Sequence, residues 1–200
     1  MKDKIVTINL IPPIKRKLNI GCGNAYEPEW FNTEITKQVK ADAYFDAGRD
    51  KWPFFDNTFE AMKAEMVFEH LPDYKARIHF LREAHRVCKQ GAKIFMNMPY
   101  SSCAGTWNDL QHTRPFGAAS FDYVSVNPSS KISIMHAQEV GDLAGSFRQK
   151  TTITFGNFTS KFKIFNIFAN SWHTRHIYEL LFQYIFQARD LYVDLEVIKH

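Results

Sequence analysis

Short apolar runs separated by polar, turn-forming residues set the rhythm of the first half of the chain. Ile5 to Ile11 reads as an edge strand stopped by Pro12-Pro13. Leu18 to Ile20 reads as the end of a buried strand, and residues 32–46 hold two more strands joined by a short polar link. Phe59 to Phe68 reads as a fourth strand, and Lys93 to Met98 as a fifth, ended by Pro99. Between these two, Ile78, Leu81, Ala84 and Val87-Cys88 recur at helical spacing, which predicts a helix over Tyr74 to Cys88 with Gly91 as its C-cap.

The second half is less regular. Residues 101–130 read as a long loop, of the kind that in a compact domain usually carries function. Ala137 to Ala144 predicts a short helix, and Phe147 to Phe165 one strand or a hairpin. Trp172 to Ala188 predicts a helix whose apolar face is widened by Phe182 and Phe186, suited to burial, a lid or a homodimer contact. Leu191, Val193, Leu195 and Val197 alternate, which predicts a last strand.

Composition narrows the class. Two hundred residues suit one domain, spanning 1–200, with a substantial core. The net charge of +4 is mild and its Lys and Arg are scattered, so there is no strong nucleic-acid signal. No run approaches the roughly 18 apolar residues of a membrane span. Three cysteines without a C-x-x-C spacing suggest a reducing compartment. The N-terminal Lys2, Asp3 and Lys4 do not read as a secretory leader. The expectation is a cytoplasmic protein. No metal site is expected from His173 and His176, which lack a third ligand nearby in sequence.

The chemistry-bearing residues gather at strand ends. Gly21-Cys22-Gly23 allows a tight turn and close approach of a ligand to the backbone. Glu34 ends the second strand, Asp46-Ala47 follows the third, and Glu65-Met66 and Glu69-His70 close the fourth. In open α/β sheets ligands bind at the carboxyl ends of strands. The loop after the fifth strand carries Asp109, His112, Arg114 and Phe121-Asp122-Tyr123.

Five ordered pieces carry a resemblance: Leu18-Asn19-Ile20-Gly21-Cys22-Gly23-Asn24; Asn32-Thr33-Glu34-Ile35; Asp42 to Asp46; Trp52 to Glu60; and Glu65 to Leu71 continuing through Leu81 to Gly91 and Asn97-Met98-Pro99. Together they resemble the class I S-adenosylmethionine-dependent methyltransferases, and most of all the small methyltransferase-domain-11 type. The resemblance implies a Rossmann-like, three-layer α/β fold with a seven-stranded, mostly parallel sheet closed by an antiparallel strand. It implies S-adenosyl-L-methionine as cofactor, with Asn19, Gly21, Cys22, Gly23, Glu34, Asp46, Ala47, Glu65 and Met66 on the cofactor side. Glu34 would accept the ribose hydroxyls and Asp46 the adenine amino group. The acceptor side would hold Glu69, Tyr100, His112 and Arg114, with His70 as first and His112 as second candidate base.

Three departures stand out. The family usually has an acid where Asn19 stands and often a glycine where Ala25 stands. The connection from Gly21 to Phe31 is eleven residues long and contains Pro28, so its helix should be one or two turns or absent. Asn97-Met98-Pro99-Tyr100 looks like the N-P-P-Y signature of DNA adenine methyltransferases, but follows the fifth strand, not the fourth. A small-molecule or sugar acceptor is the leading expectation. Methylation of nucleic acid or protein, and a non-catalytic scaffold of the same fold, are the alternatives.

Overall fold

The computed structural model describes residues 15–128, 144–155, 163–171 and 174–199. Seven strands form one sheet in the order β3-β2-β1-β4-β5-β7-β6. They are β1 (Lys17–Ile20), β2 (Phe31–Glu34), β3 (Ala43–Tyr44), β4 (Phe59–Glu65), β5 (Cys88–Pro99), β6 (Ser146–Thr154) and β7 (Asp190–Ile198). The first five pair in parallel. β7 runs antiparallel to both β5 and β6. The expected mostly parallel sheet with an antiparallel closing strand is therefore present.

Register shows which face is the core. Leu18 lies beside Met62, and Ile20 beside Ala64. Met62 and Ala64 lie beside Ile94 and Met96, which lie beside Leu195 and Val193. Residues paired across strands point to the same side, and all eight of these are buried. The opposite face runs through Asn19, Lys63, Phe95 and Asp194 and is more polar. Lys63 there pairs with Glu27 and Glu65.

Helix α1 (Tyr74–Val87) joins β4 to β5, capped by Asp73, whose side chain accepts from the Ala76 N–H. The helix ends at Val87, not at a Gly91 cap. Cys88 is already extended and buried, and it pairs with Phe59. Gly91, at φ +75°, sits where the register with β4 jumps from Phe59–Cys88 to Ala61–Lys93. Its freedom at positive φ serves a bulge in β5.

The first crossover has no helix. Buried Asn32 holds it instead. Its Nδ2 donates to the carbonyls of Glu27 (2.8 Å) and Trp30 (2.7 Å), and its Oδ1 accepts from Asn19 Nδ2 (3.0 Å) and the Glu27 N–H (3.1 Å). The link between β3 and β4 is likewise non-helical. There Glu83 of α1 accepts from the Trp52 N–H (2.8 Å), while Arg86 donates to Glu83 and to the carbonyls of Trp52 and Phe54. This fixes Trp52 and Phe54 in the core, where Phe54 meets Phe31 and Phe59 edge-on and Trp52 meets Phe80.

Four other expectations need correction. β4 ends at Glu65, because Met66 turns to φ +54° and leads into a 3-10 turn, Phe68–His70. Residues 101–130 are not all loop. They hold helix α2 (Ala104–Asn108) and a 3-10 turn, Ala118–Val124, whose Phe121 packs on Phe68 beside Phe116, which precedes the turn. The strand begun at Phe147 stops at Thr154, and helix α3 (Lys163–Asn170) returns to the sheet edge. There the Asn170 side chain bonds the Ile153 N–H and carbonyl, taking the place of a strand partner. The long C-terminal helix is broken into a short α4 (Arg175–Ile177) and a π turn, Tyr178–Phe182. Buried Tyr178 draws the chain back, since its hydroxyl donates to the Phe186 carbonyl and accepts from the Ala188 N–H. The edge strand expected near residues 5–11, most of the helix expected at 137–144, and Trp172 and His173 lie outside the described residues.

Two stability predictions come from these pins. Asn32→Ala strands several buried backbone groups, so it should cost roughly 2–4 kcal/mol in urea unfolding. Burial alone would raise the Glu83 carboxyl, but Arg86 and the Trp52 N–H outweigh it and hold the group below its ordinary 4.5. Its contribution is therefore full above about pH 4.5 and fades as pH falls through the lowered folded-state value. Glu83→Gln should flatten this part of the acid-unfolding profile measured by circular dichroism.

Candidate active site

The order of the sheet reverses between β1 and β4, and a cleft opens there at the carboxyl ends of the strands. Its walls are Ile20-Gly21, Thr33 to Ile35, Phe45 to Arg49 and Val67 with His70 to Pro72. Gly21 adopts φ +67°, and a Cβ there would come within 2.5 Å of Val67 Cγ2, so only glycine lets the turn pass under this wall. Gly23, at φ +50°, turns its N–H onto Glu34 Oε2 at 2.9 Å. The other oxygen, Oε1, accepts from the Ile35 N–H at 2.8 Å. The carboxylate is thus fixed at the cleft wall with acceptor capacity left on both oxygens.

Asp46 forms the floor opposite. Its Oδ1 accepts from the Gly48 N–H at 2.9 Å, and its Oδ2 lies 3.9 Å from Arg49. The cleft measures about 190 Å³, less than the roughly 300–1,000 Å³ that encloses a whole small ligand. Its size suits one end of a longer ligand. A carboxylate for two ribose hydroxyls, a second acid for an amino group and a sterically cleared backbone turn fit S-adenosylmethionine.

Not every residue named from sequence faces this cleft. Gly21, Glu34, Asp46 and Ala47 line it, and Gly23 braces Glu34. Asn19 is buried and spends its amide on Asn32, and Cys22 is buried with its thiol near the Gly23 and Lys40 carbonyls. Glu65 pairs with Lys63, and Met66 is exposed at the end of β4; neither lines the cleft. Sequence reasoning passed over Val67, Leu71, Pro72 and Phe45 as walls. An apolar residue facing a cleft and one facing a core look alike in sequence.

Beyond His70 the cleft meets a polar cluster. The His70 and His112 rings lie 4.8 Å apart. Glu69, from the same 3-10 turn, is buried beneath them. The loop carrying His112 is fastened by Thr113, whose N–H donates to the Glu69 carbonyl (3.1 Å) and whose hydroxyl donates to the Leu71 carbonyl (2.7 Å). Arg77 of α1 donates to that hydroxyl and to the Leu71 carbonyl, both at 2.9 Å. Burial pushes the Glu69 carboxyl up to about 7 and the His70 imidazole down, since each charged form loses water.

Tyr100 and Arg114 sit apart from this cluster. Tyr100 is fully buried and donates to Glu179 at 2.8 Å, with burial raising its phenol. Arg114 stacks on Phe116 and lines a separate cavity of about 280 Å³ bounded by Tyr74, Arg77 and Leu81.

Comparison with known proteins bears on the fold. Residues 18–96 match the family model described as "Methyltransferase domain". No curated protein sequence matches the chain. A solved S-adenosylmethionine-dependent methyltransferase from Archaeoglobus fulgidus shares the fold at TM-score 0.57 and 15% identity, over 91% of this chain and 86% of that one. Phosphoethanolamine N-methyltransferase 2 of Haemonchus contortus, solved with S-adenosyl-L-methionine, aligns at TM-score 0.52 and 12% identity, over 96% of this chain and 50% of its own. A putative methyltransferase of Haloferax volcanii, solved with the Trm112 methyltransferase activator, aligns at TM-score 0.51 and 14% identity, over 92% and 82%. Residues 18–96 thus match a methyltransferase domain, and the sheet order gives the chain the fold of the S-adenosylmethionine-dependent methyltransferases.

Proposed function

We propose that the protein methylates an oxygen or nitrogen of a small-molecule or sugar-type acceptor. The observation that carries this reading is the continuity of the Glu34 cleft with the Glu69–His70–His112 cluster, through His70, which belongs to both. Bound S-adenosylmethionine supplies an electrophilic methyl group on a sulfonium. The chain's own work is to place the acceptor in line with that methyl and to take its proton. Glu34 and Asp46 would hold the nucleoside end. His70 lies where the cleft passes into the cluster and is the proposed group that takes the acceptor's proton. His112 stands behind it as the second candidate.

The rim of the cleft does not gather a basic track, and Arg49 is the one Arg or Lys among the cleft-lining residues. No helix among the described residues is long and apolar enough to cross a membrane. Its free cysteines, Cys22, Cys88 and Cys103, support a reducing, cytoplasmic setting. Exposed Leu180, Leu181, Tyr184 and Ile185 support a homodimer contact at the C-terminal segment.

Titration calorimetry with S-adenosylmethionine and S-adenosylhomocysteine should show micromolar binding by the wild type. Glu34→Ala should weaken it by about 2–3 kcal/mol, the scale of hydrogen bonds to a charged group. No binding to the wild type would favour the scaffold reading. His70→Ala should leave this affinity nearly intact while lowering kcat by roughly 10²-fold or more. Turnover by His70→Ala equal to wild type on the same acceptor would remove His70 from the proton's path.

A further inference from the structure

The cluster beside the cleft holds more unpaired polar atoms than a proton acceptor requires. Both carboxylate oxygens of Glu69 and Nδ1 of His70 are buried without a hydrogen-bond partner. Glu69 is only 2% exposed. An unsatisfied buried polar group is ordinarily destabilising, and three of them lie together here. No hydrogen bond joins them in this arrangement. Yet one ligand atom each from Glu69, His70 and His112 lies within 4.8 Å of the other two.

That spacing suits a shared ion. Three atoms no more than 4.8 Å apart have a common point no more than about 2.8 Å from each (4.8/√3). Zinc bonds to imidazole nitrogen and carboxylate oxygen run about 2.0–2.2 Å. Each ligand would move inward by less than about an ångström, within reach of small side-chain rotations. The donor set, two imidazoles and one carboxylate, is one that divalent first-row transition metals accept while keeping positions open for a further ligand.

The surroundings orient the ligands as a metal site requires. The His112 side chain is 6% exposed. Its Nδ1 lies 3.3 Å from the Thr106 carbonyl, which can only accept, so Nδ1 carries the proton and Nε2 keeps its lone pair. Asp109 stands 3.7 Å from that Nε2, at the rim. The Thr113 clamp fixes the His112 loop on the backbone of Glu69 and Leu71, so two distant segments are held in register around the gap.

We propose that Glu69, His70 and His112 form a binding site for one divalent transition-metal ion, opening toward the acceptor side of the cofactor cleft. The inference rests on reading this cluster as the acceptor side, not on His70 acting alone as a base. Where the ion is bound, His70 is a ligand, and the proton-accepting role proposed above for it belongs to the metal-free protein. In the cation-loaded protein an acceptor oxygen that binds the ion loses its proton to water, and the deprotonated oxygen is the nucleophile. An oxygen-bearing acceptor able to ligate a metal is the substrate class that such a site favours.

The test uses the full chain, stripped with a chelator and titrated with Co²⁺, followed by visible absorption and then by Zn²⁺ competition. Saturable binding of one Co²⁺ per chain, displaced by Zn²⁺, is expected. Glu69→Gln, which keeps the side-chain shape, and His112→Ala should each weaken it by about tenfold or more. Thermal unfolding of the metal-free variants checks that they fold. Absence of saturable binding to the folded wild type overturns the proposal. So does binding unchanged in both variants, which would place the ion at other histidines or cysteines. Calorimetry with S-adenosylmethionine on the metal-free protein separates the two readings: cofactor binding without Co²⁺ binding removes the metal site and leaves the methyltransferase reading standing.

Discussion

The first crossover depends on one buried amide. A parallel connection between neighbouring strands is normally bridged by a helix, whose internal hydrogen bonds satisfy the backbone. Here the chain crosses from β1 to β2 without one. Asn32 takes up that work, since it meets the carbonyls of Glu27 and Trp30, the Glu27 N–H and the Asn19 amide at once. Its own N–H bonds Asp42, which in turn meets Lys15 and Tyr26. The edge of the sheet and the cleft share this support, because Glu34 sits two residues beyond Asn32 on the same short strand. A polar residue in the core is costly when its partners are incomplete, so satisfaction at Asn32 is what makes the shortened fold workable.

The same economy appears on the other side of the molecule. Thr113 and Arg77 fasten a loop from beyond β5 onto the turn that ends β4. Without that clamp His112 would belong to an exposed loop and Glu69 to a polar turn near water. With it, a carboxylate and two imidazoles are brought together at the end of the Glu34 cleft. The Glu34 cleft and the Glu69–His70–His112 cluster therefore rest on different physics. Backbone shape and sheet order make the first. Long-range hydrogen bonds between two loops make the second.

The legibility of the sequence follows this division. β1, β2, α1, β5 and β7 were readable because each shows its own period or bears a local mark, such as the glycine turn or the alternation from Leu191 to Val197. The errors fall where tertiary contacts outweigh local preference. Gly91 has the look of a helix cap and serves a bulge. The stretch from Trp172 to Ala188 has helical spacing, but the buried Tyr178 hydroxyl bends it back. Asn19 stands where the family's cofactor residue stands, yet its partner is Asn32.

By itself, the sequence determined the class of fold, the glycine turn with its acid at the end of β2, and the clustering of polar residues at strand ends. These depend on periodicity and on what glycine and carboxylates can do locally, which no distant contact has to supply. The tertiary structure alone decided which of those residues share a cleft. Glu69-His70 and His112 are separated by about forty residues of chain, and nothing in either segment records that the two are clamped together by Thr113. Burial of the Glu69 carboxylate, and the unpaired atoms around it, are products of that packing.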